Sequence, residues 1–269
     1  MMNRRNFTRA LGLTALPLEL ANSARAGNAE AGSLPAQQPL KADAPFHIGM
    51  LIFPGMTNLD FAGPFEVLAR VPGATVHVLA KSDAPVRTDV GGTILPSMTL
   101  KDAPELDMLF VGGGPGVNAL MEDGEVLEFL RSRARRAQWV SSVCTGALVL
   151  GAAGLLRGYR AATHWTAMDV LPLLGATPVR QRVVIDRNRI TGGGVTAGID
   201  FGLTVVGLLW GKELAQTIQL GLEYDPQPPF NSGSPQNAPA PILARVRSAT
   251  TDLTERRMAI AKRAAGNFS

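Results

Sequence analysis

Cysteine and histidine are both scarce in this chain of 269 residues, which contains one cysteine, Cys144, and three histidines. A single cysteine excludes an intrachain disulfide, so the thiol is either buried and inert or placed for reactivity. Long apolar runs are missing as well, and no segment approaches the roughly 20 residues that a membrane-spanning helix needs. What is present is enough apolar material for a substantial core, because 46% of the residues are hydrophobic.

An excess of charge is also missing once the N-terminus is set aside. Residues 1–26 have a basic start, a short apolar stretch and an Ala24-Arg25-Ala26 site, the layout of a cleavable export signal. The segment NRRNFTR resembles a twin-arginine signal. These residues hold four of the 26 basic and one of the 22 acidic residues, so the remaining chain carries 22 and 21, a net charge of +1. We therefore expect no nucleic-acid partner and a periplasmic or secreted protein.

The remaining chain is predicted to form one domain. Residues 27–45 are small, polar and proline-containing, which is typical of a linker. From Phe46 to Ala265, continuous apolar strands alternate with helical patterns. This alternation predicts an α/β sandwich, with a mostly parallel sheet covered by helices on both faces. Strands are expected at 46–53, 74–80 and 107–113, and a further strand ends at Val143.

Several segments of the second half carry distinct patterns. Residues 183–194 indicate a hairpin or an edge pair of strands, and residues 196–223 predict one long helix with apolar residues at helical spacing. A proline-rich loop follows at 224–241. The final stretch, 242–265, predicts one charged amphipathic helix.

Cys144 lies at the bend between a predicted strand and a predicted helix. Small residues surround it in the sequence SSVCTGA, which is typical of a nucleophile elbow, where the chain reverses sharply and exposes the side chain. The amino terminus of the following helix directs N–H groups and partial positive charge at the sulfur, so we expect it to favour the thiolate. The alternative is a small buried cysteine that packs like alanine.

Three further groups are candidates to act with this thiol. Asp60 follows the first strand through a turn, and it is either an acid/base or a helix N-cap. Gly112–Gly114 form either a tight turn or a source of free N–H groups for an anion or oxyanion. His164 is a weaker candidate because no acidic residue follows it two positions later; His47 and His77 lie in strands and are expected to be structural.

The motifs FPGMTNLDFAGPFEVL, GGGPGVNALMED, SVCTGALVLGAAGLL, TGGGVTAGIDF and LEYDPQPPFNSGSP together resemble the isonitrile hydratases of the ThiJ/PfpI superfamily. The resemblance covers about 46–265. It implies a flavodoxin-like fold, a homodimer, no metal or other cofactor, and hydration of a small isonitrile to an N-substituted formamide. By motif position it implies that Cys144 is the nucleophile, Asp60 the acid/base and Thr145 the assisting residue. Gly113, Gly114 and, more weakly, His164 are candidates for binding the substrate or an oxyanion.

Two other functions remain open at this level. The first is a non-catalytic ligand-binding or sensor protein of the same fold, and the second is another cysteine-dependent hydrolase of the superfamily. Two departures also stand out: the chain has Gly112-Gly113-Gly114 where the family pattern has Pro-Gly-Gly, and it carries a predicted export signal. A shift to another substrate would be compatible with both.

Overall fold

The computed structural model describes residues 39–41 and 44–266. The predicted export signal and most of the predicted linker lie outside the described residues. The described end of the linker is packed rather than free, because Leu40 lies against the core and its N–H donates to the carbonyl of Leu209 at 2.7 Å.

The described chain alternates strands and helices. In chain order the elements are β1 (Phe46–Leu51), α1 (Asn58–Leu68), β2 (Ala74–Ala80), β3 (Val86–Arg87), β4 (Thr93–Ile94), β5 (Met98–Thr99), β6 (Met108–Val111), α2 (Val117–Leu120), α3 (Gly124–Ala134), β7 (Trp139–Ser142), α4 (Gly146–Ala152), β8 (Arg160–Ala161), a 3-10 helix (Trp165–Leu174), β9 (Thr177–Pro178), β10 (Val183–Asp186), β11 (Arg189–Gly192), α5 (Ala197–Leu209), α6 (Lys212–Gly221) and α7 (Ala240–Gly266).

Seven of the strands form one sheet in the order β10-β11-β7-β6-β1-β2-β5. All neighbours in it are parallel except β10 and β11, which form an antiparallel hairpin. The central strands β6 and β7 are buried at every position, because helices cover the sheet. This confirms the predicted flavodoxin-like α/β architecture and the predicted edge hairpin.

The helices pack in two groups. Helix α1 packs against α5, and α5 against α6, whereas α4 packs against α2, α3, α7 and the 3-10 helix. Helix α7 confirms the predicted C-terminal helix. None of the helices in the described part of the chain is long and apolar enough to cross a membrane.

The prediction of a single helix over 196–223 is wrong. The structure divides this segment into α5 and α6 at Trp210 and Gly211, and Gly211 has φ +100°. A helix requires φ near −60°, so the chain turns at the one residue type that adopts this conformation without strain. The helical spacing of apolar residues continues across Trp210 and Gly211, so the sequence pattern gave no sign of the break.

The topology determines where a site can form. From β1 the chain builds the sheet outward through β2 and β5, and then returns to the other side of β1 to add β6, β7 and β11. The carboxyl ends of β1, β6 and β7 therefore lie side by side at the point where the strand order reverses, which is where open α/β sheets bind ligands.

Candidate active site

Cys144 lies in a strained turn between β7 and α4. Its φ is +54°, in the left-handed region that non-glycine residues seldom occupy. Two hydrogen bonds hold the backbone of Cys144. Its N–H donates to the carbonyl of Gly193 at 2.7 Å, and its carbonyl accepts from the hydroxyl of Thr163 at 2.8 Å. Helix α4 begins directly against the end of β6, since a Cβ at Gly146 would collide with the carbonyl of Val111. The strand–helix turn of the predicted elbow is therefore present, but the predicted exposure of its side chain is wrong, because Cys144 is buried.

Asp60 lies in the first turn of α1 and is completely buried. The N–H of Gly113 donates to its Oδ2 at 2.8 Å, and its carboxyl group is hydrogen-bonded to the thiol of Cys144. Its Oδ1 is buried without a hydrogen-bond partner of its own among the described residues. Thr57 occupies the N-cap position of α1, so the predicted alternative, in which Asp60 caps the helix, is wrong.

Thr145 and the glycine turn after β6 complete the arrangement. The N–H of Gly114 donates to Oγ1 of Thr145 at 3.0 Å. A Cβ at Gly113 would lie 2.5 Å from the Thr145 nitrogen and 2.8 Å from Asp60 Oδ2, so glycine is required for this close approach. The two amide groups therefore orient the carboxylate and the hydroxyl. They are not free donors for an oxyanion in this conformation, which corrects the expectation from the sequence.

The electrostatics of Asp60 and Cys144 keep Cys144 protonated, as a thiol, in the resting site. The pKa of Asp60 is raised to about 6: burial is the main cause, the hydrogen bonds from Cys144 and Gly113 oppose it, and the negative charge of Asp89 adds to it. Burial and the negative charge of Asp60 also raise the pKa of Cys144, although the N–H groups of Thr145 and Val195 donate toward the sulfur. The expectation that the helix terminus favours the thiolate is therefore wrong for the resting site, because burial and the carboxylate outweigh it. At neutral pH the carboxylate is ionised and accepts from the thiol.

His164 lies close to the elbow but faces its own loop. Its Nδ1 is 2.8 Å from the hydroxyl of Thr166, and burial together with the charge of Arg257 lowers its pKa. The ring lines a cavity of about 350 Å³ with residues that include Trp165, Met168, Gly194 and Val195. Because the Val195 N–H points to the sulfur, this cavity adjoins the elbow.

Two groups near the thiol were not identified from the sequence. The first is the N–H of Val195, and the second is Arg257, a buried side chain of α7. A signal for Arg257 does exist, because it occupies the same stripe of α7 as the buried residues Ile260, Ala261 and Ala264. The described residues hold no group of three or more His, Cys, Asp or Glu side chains that could bind a metal ion.

The fold and the site define a class of protein: a flavodoxin-like α/β protein with a cysteine at a nucleophile elbow facing a buried carboxyl group. The chain belongs to the DJ-1/PfpI family, whose family model matches residues 47–208. It is 50% identical to an isonitrile hydratase of Pseudomonas putida over 222 residues, which cover 82% of this chain and 97% of that enzyme. A solved structure of a ThiJ/PfpI family protein from Pseudomonas syringae superposes with a TM-score of 0.81 at 43% identity, covering 86% of this chain and 98% of that one.

A transcription regulator is also similar to this chain. The HTH-type transcriptional regulator GbdR of Pseudomonas aeruginosa is 30% identical over 191 residues, which cover 67% of this chain and 51% of the regulator. The chain therefore spans about half the length of that relative, whereas it spans nearly all of the hydratase.

Proposed function

We propose that this protein hydrates isonitriles, R–N≡C, to N-substituted formamides, R–NH–CHO, through covalent catalysis by Cys144. The observation that carries the proposal is the pairing of a buried thiol with a buried carboxylate at the elbow, in a chain that is 50% identical to an isonitrile hydratase over 97% of that enzyme. Thiol and carboxylate are the two groups that addition to an isonitrile carbon requires, namely a soft nucleophile and a proton carrier.

In the first stage the proton of the Cys144 thiol passes to the Asp60 carboxylate, and the sulfur adds to the isonitrile carbon. Asp60 then returns the proton to that same carbon, which gives the thioimidate R–N=CH–S–Cys144. The hydrogen bond between the two side chains places this proton on its transfer path. The N–H groups of Thr145 and Val195 stabilise negative charge on the sulfur while it attacks.

In the second stage a water molecule adds to the thioimidate carbon. Asp60 accepts the water proton and delivers it to the nitrogen, so that a tetrahedral adduct R–NH–CH(OH)–S–Cys144 forms. The carbon–sulfur bond then breaks, the formamide leaves, and the remaining hydroxyl proton returns through Asp60 to the sulfur. One molecule of water is consumed and the thiol is regenerated. We assign to the Thr145 hydroxyl, which accepts from the N–H of Gly114, the role of orienting Asp60 or the water.

The cavity beside the elbow accommodates the R group. Its volume of about 350 Å³ lies within the ordinary range for small-molecule pockets. Trp165 and Met168 are among its lining residues and suit a hydrocarbon substituent, while the isonitrile carbon would point to Cys144. We assign no base role to His164, since its Nδ1 accepts from the N–H of Thr166 and the proton of the neutral ring therefore lies on Nε2.

A ligand-binding role without catalysis is the second candidate, favoured by the similarity to the regulator. Two observations weigh against it. The similarity to the hydratase is higher and spans nearly all of that enzyme, and a sensor would not require the strained turn that presents Cys144 to Asp60.

The test is to incubate the protein without residues 1–26 with cyclohexyl isocyanide, and to measure N-cyclohexylformamide by chromatography. We expect formamide production that depends on enzyme concentration, and we expect His164→Ala to keep appreciable activity. Saturable binding of the isocyanide with no formamide above the uncatalysed background would favour the ligand-binding alternative.

We further propose that the protein is exported and that it forms a homodimer; the export signal and the family resemblance support these two proposals. N-terminal sequencing of the periplasmic fraction should give a chain that starts near Gly27. Light scattering at micromolar concentration should give twice the mass of the chain. An intact Met1 confined to the cytoplasm, or a monomer only, would refute the respective proposal.

A further inference from the structure

Arg257 is a buried arginine with no acidic partner. Arg257 lies on α7 and is 4% exposed, and its side chain forms no ion pair with any described residue. Buried charges in proteins are ordinarily paired, because removing an ion from water without compensation is costly. An unpaired guanidinium at this depth therefore calls for a functional explanation.

The guanidinium contacts the active-site turn. Its Nη2 donates to the carbonyl of Gly114 at 3.1 Å, and its Nε donates to Oδ1 of Asn118 at 3.1 Å. The N–H of the same Gly114 donates to the hydroxyl of Thr145. A short chain of hydrogen bonds thus runs from α7 through the glycine turn to the residue beside the nucleophile.

The charge of Arg257 is also near the thiol. It interacts electrostatically with Cys144 and with His164. The other elements packed against α7 offer no closer counterion: α2 and α4 contain no ionisable residue, and the 3-10 helix contains only Asp169, which is exposed. The acidic group that interacts with Cys144 is Asp60, which itself interacts electrostatically with Asp89.

We propose that Arg257 is a positioning residue of this active site: its guanidinium fixes the glycine turn through Gly114, and its positive charge offsets the negative charge that Cys144 acquires when it becomes a thiolate. The resting pair of thiol and carboxylate carries one negative charge, shared by Asp60 and Cys144. When the proton moves to Asp60, that charge moves to the sulfur, with which the charge of Arg257 interacts. The unpaired cation therefore has its partner only in the reacting state, which is where stabilisation accelerates the reaction.

This role gives α7 a direct connection to the chemistry. The family model ends at residue 208, and α7 spans Ala240–Gly266, so the group that we assign lies outside the segment that defines the family. The inference rests on the proposed function only in its use of Cys144 as nucleophile. Its test measures the thiol itself and needs no isonitrile.

The test is the rate of alkylation of Cys144 by iodoacetamide between pH 6 and pH 10, followed by intact-protein mass spectrometry. Cys144 is the only cysteine in the chain, so each alkylation event reports this thiol. We compare the wild-type protein with Arg257→Gln, which removes the charge, and with Arg257→Lys, which retains it. The matched control is Arg256→Gln, because Arg256 is the exposed neighbour on the same helix.

We expect Arg257→Gln to lower the alkylation rate at pH 8 by about tenfold and to move the pH profile upward, since one neighbouring charge typically shifts a pKa by about 1 to 3. Arg257→Lys should restore most of the reactivity, and Arg256→Gln should match the wild type. If Arg257→Gln and Arg257→Lys lose reactivity equally, the side chain serves helix packing only and the proposal is overturned. Should Arg257→Gln not fold, Arg257→Lys decides alone: a wild-type pH profile supports the proposal, and a profile displaced upward by one pH unit contradicts it.

The outcome is distinguishable from that of the proposed function. A protein that hydrates no isonitrile but shows the charge-dependent alkylation profile would retain the inference and refute the activity. A protein that forms formamide, but whose alkylation rate is the same in the wild type and the Arg257 variants, would support the activity and refute the inference.

Discussion

Replacing Asp60 by asparagine should stabilise the protein while it abolishes most of the activity. Asp60 is completely buried and its pKa is raised from 3.8 to about 6. A group whose pKa is higher in the folded than in the unfolded state binds more protons when folded, so its ionisation lowers the stability as the pH rises. The loss of folding stability caused by ionisation of Asp60 begins near pH 3.8 and is complete above about pH 6.

The size of the effect follows from the pKa shift. At 1.36 kcal/mol for each pKa unit, an ionised Asp60 destabilises the folded state by about 3 kcal/mol at pH 7, and by about half of that at pH 5. Asparagine has nearly the same shape and cannot ionise, and its oxygen can still accept from Gly113. Its NH₂ group would take the place of Oδ1, where no described residue offers a hydrogen-bond partner, and this offsets part of the gain. We therefore expect a net stabilisation of about 1 to 3 kcal/mol at pH 7.

The assay is urea unfolding of the wild type and Asp60→Asn at intervals from pH 4 to pH 7, under reducing conditions, with kcat measured on the same samples. The difference in unfolding free energy should grow as the pH rises, and kcat should fall by about 10²- to 10⁴-fold. The matched control is Asp83→Asn, an exposed carboxylate, which should change neither. A stability difference that stays constant from pH 4 to pH 7 would refute the reasoning, because it would mean that the buried carboxyl does not titrate as the structure requires.

Three further predictions concern the same cluster. The pH profile of kcat/KM should show an acidic limb near pH 6, since Asp60 must be ionised to accept the thiol proton; a limb near pH 4 would contradict the raised pKa. Thr145→Val should cost about 1 to 3 kcal/mol in urea unfolding and reduce kcat, because the N–H of Gly114 loses its acceptor; unchanged stability would contradict the contact. Gly113→Ala should reduce turnover by about 100-fold, because its methyl group would displace the Asp60 carboxylate, and wild-type turnover would show that this turn adapts freely.

The sheet could be predicted from the sequence because its strands are buried on both faces. The run 108–111 is continuously apolar and 46–51 is interrupted by a single polar residue, His47, which distinguishes parallel central strands from the alternating pattern of a half-exposed sheet. The elbow could be predicted because small residues around Cys144 are a steric requirement of the turn. In both cases the constraint is local and is visible in the residue types.

Properties that depend on tertiary distance could not be predicted. The protonation state of Cys144 follows from its burial beside Asp60, 84 positions away in the chain. The sequence predicts that the two residues act together, but it does not show how deeply both are buried. The partners of the Gly113 and Gly114 amides depend in the same way on where the first residues of α1 and α4 lie beside the turn after β6. The break at Gly211 is a different case, since a glycine within an apolar helical pattern is tolerated as often as it is disruptive.

The most direct test of the covalent mechanism is the rate of formamide production from cyclohexyl isocyanide by Cys144→Ala. The variant removes only the sulfur, and circular dichroism and urea unfolding can confirm that it folds. The account predicts no formamide above the uncatalysed background, because no other described side chain is placed to add to the isonitrile carbon beside Asp60. A folded Cys144→Ala protein that produces formamide at the wild-type rate would contradict it.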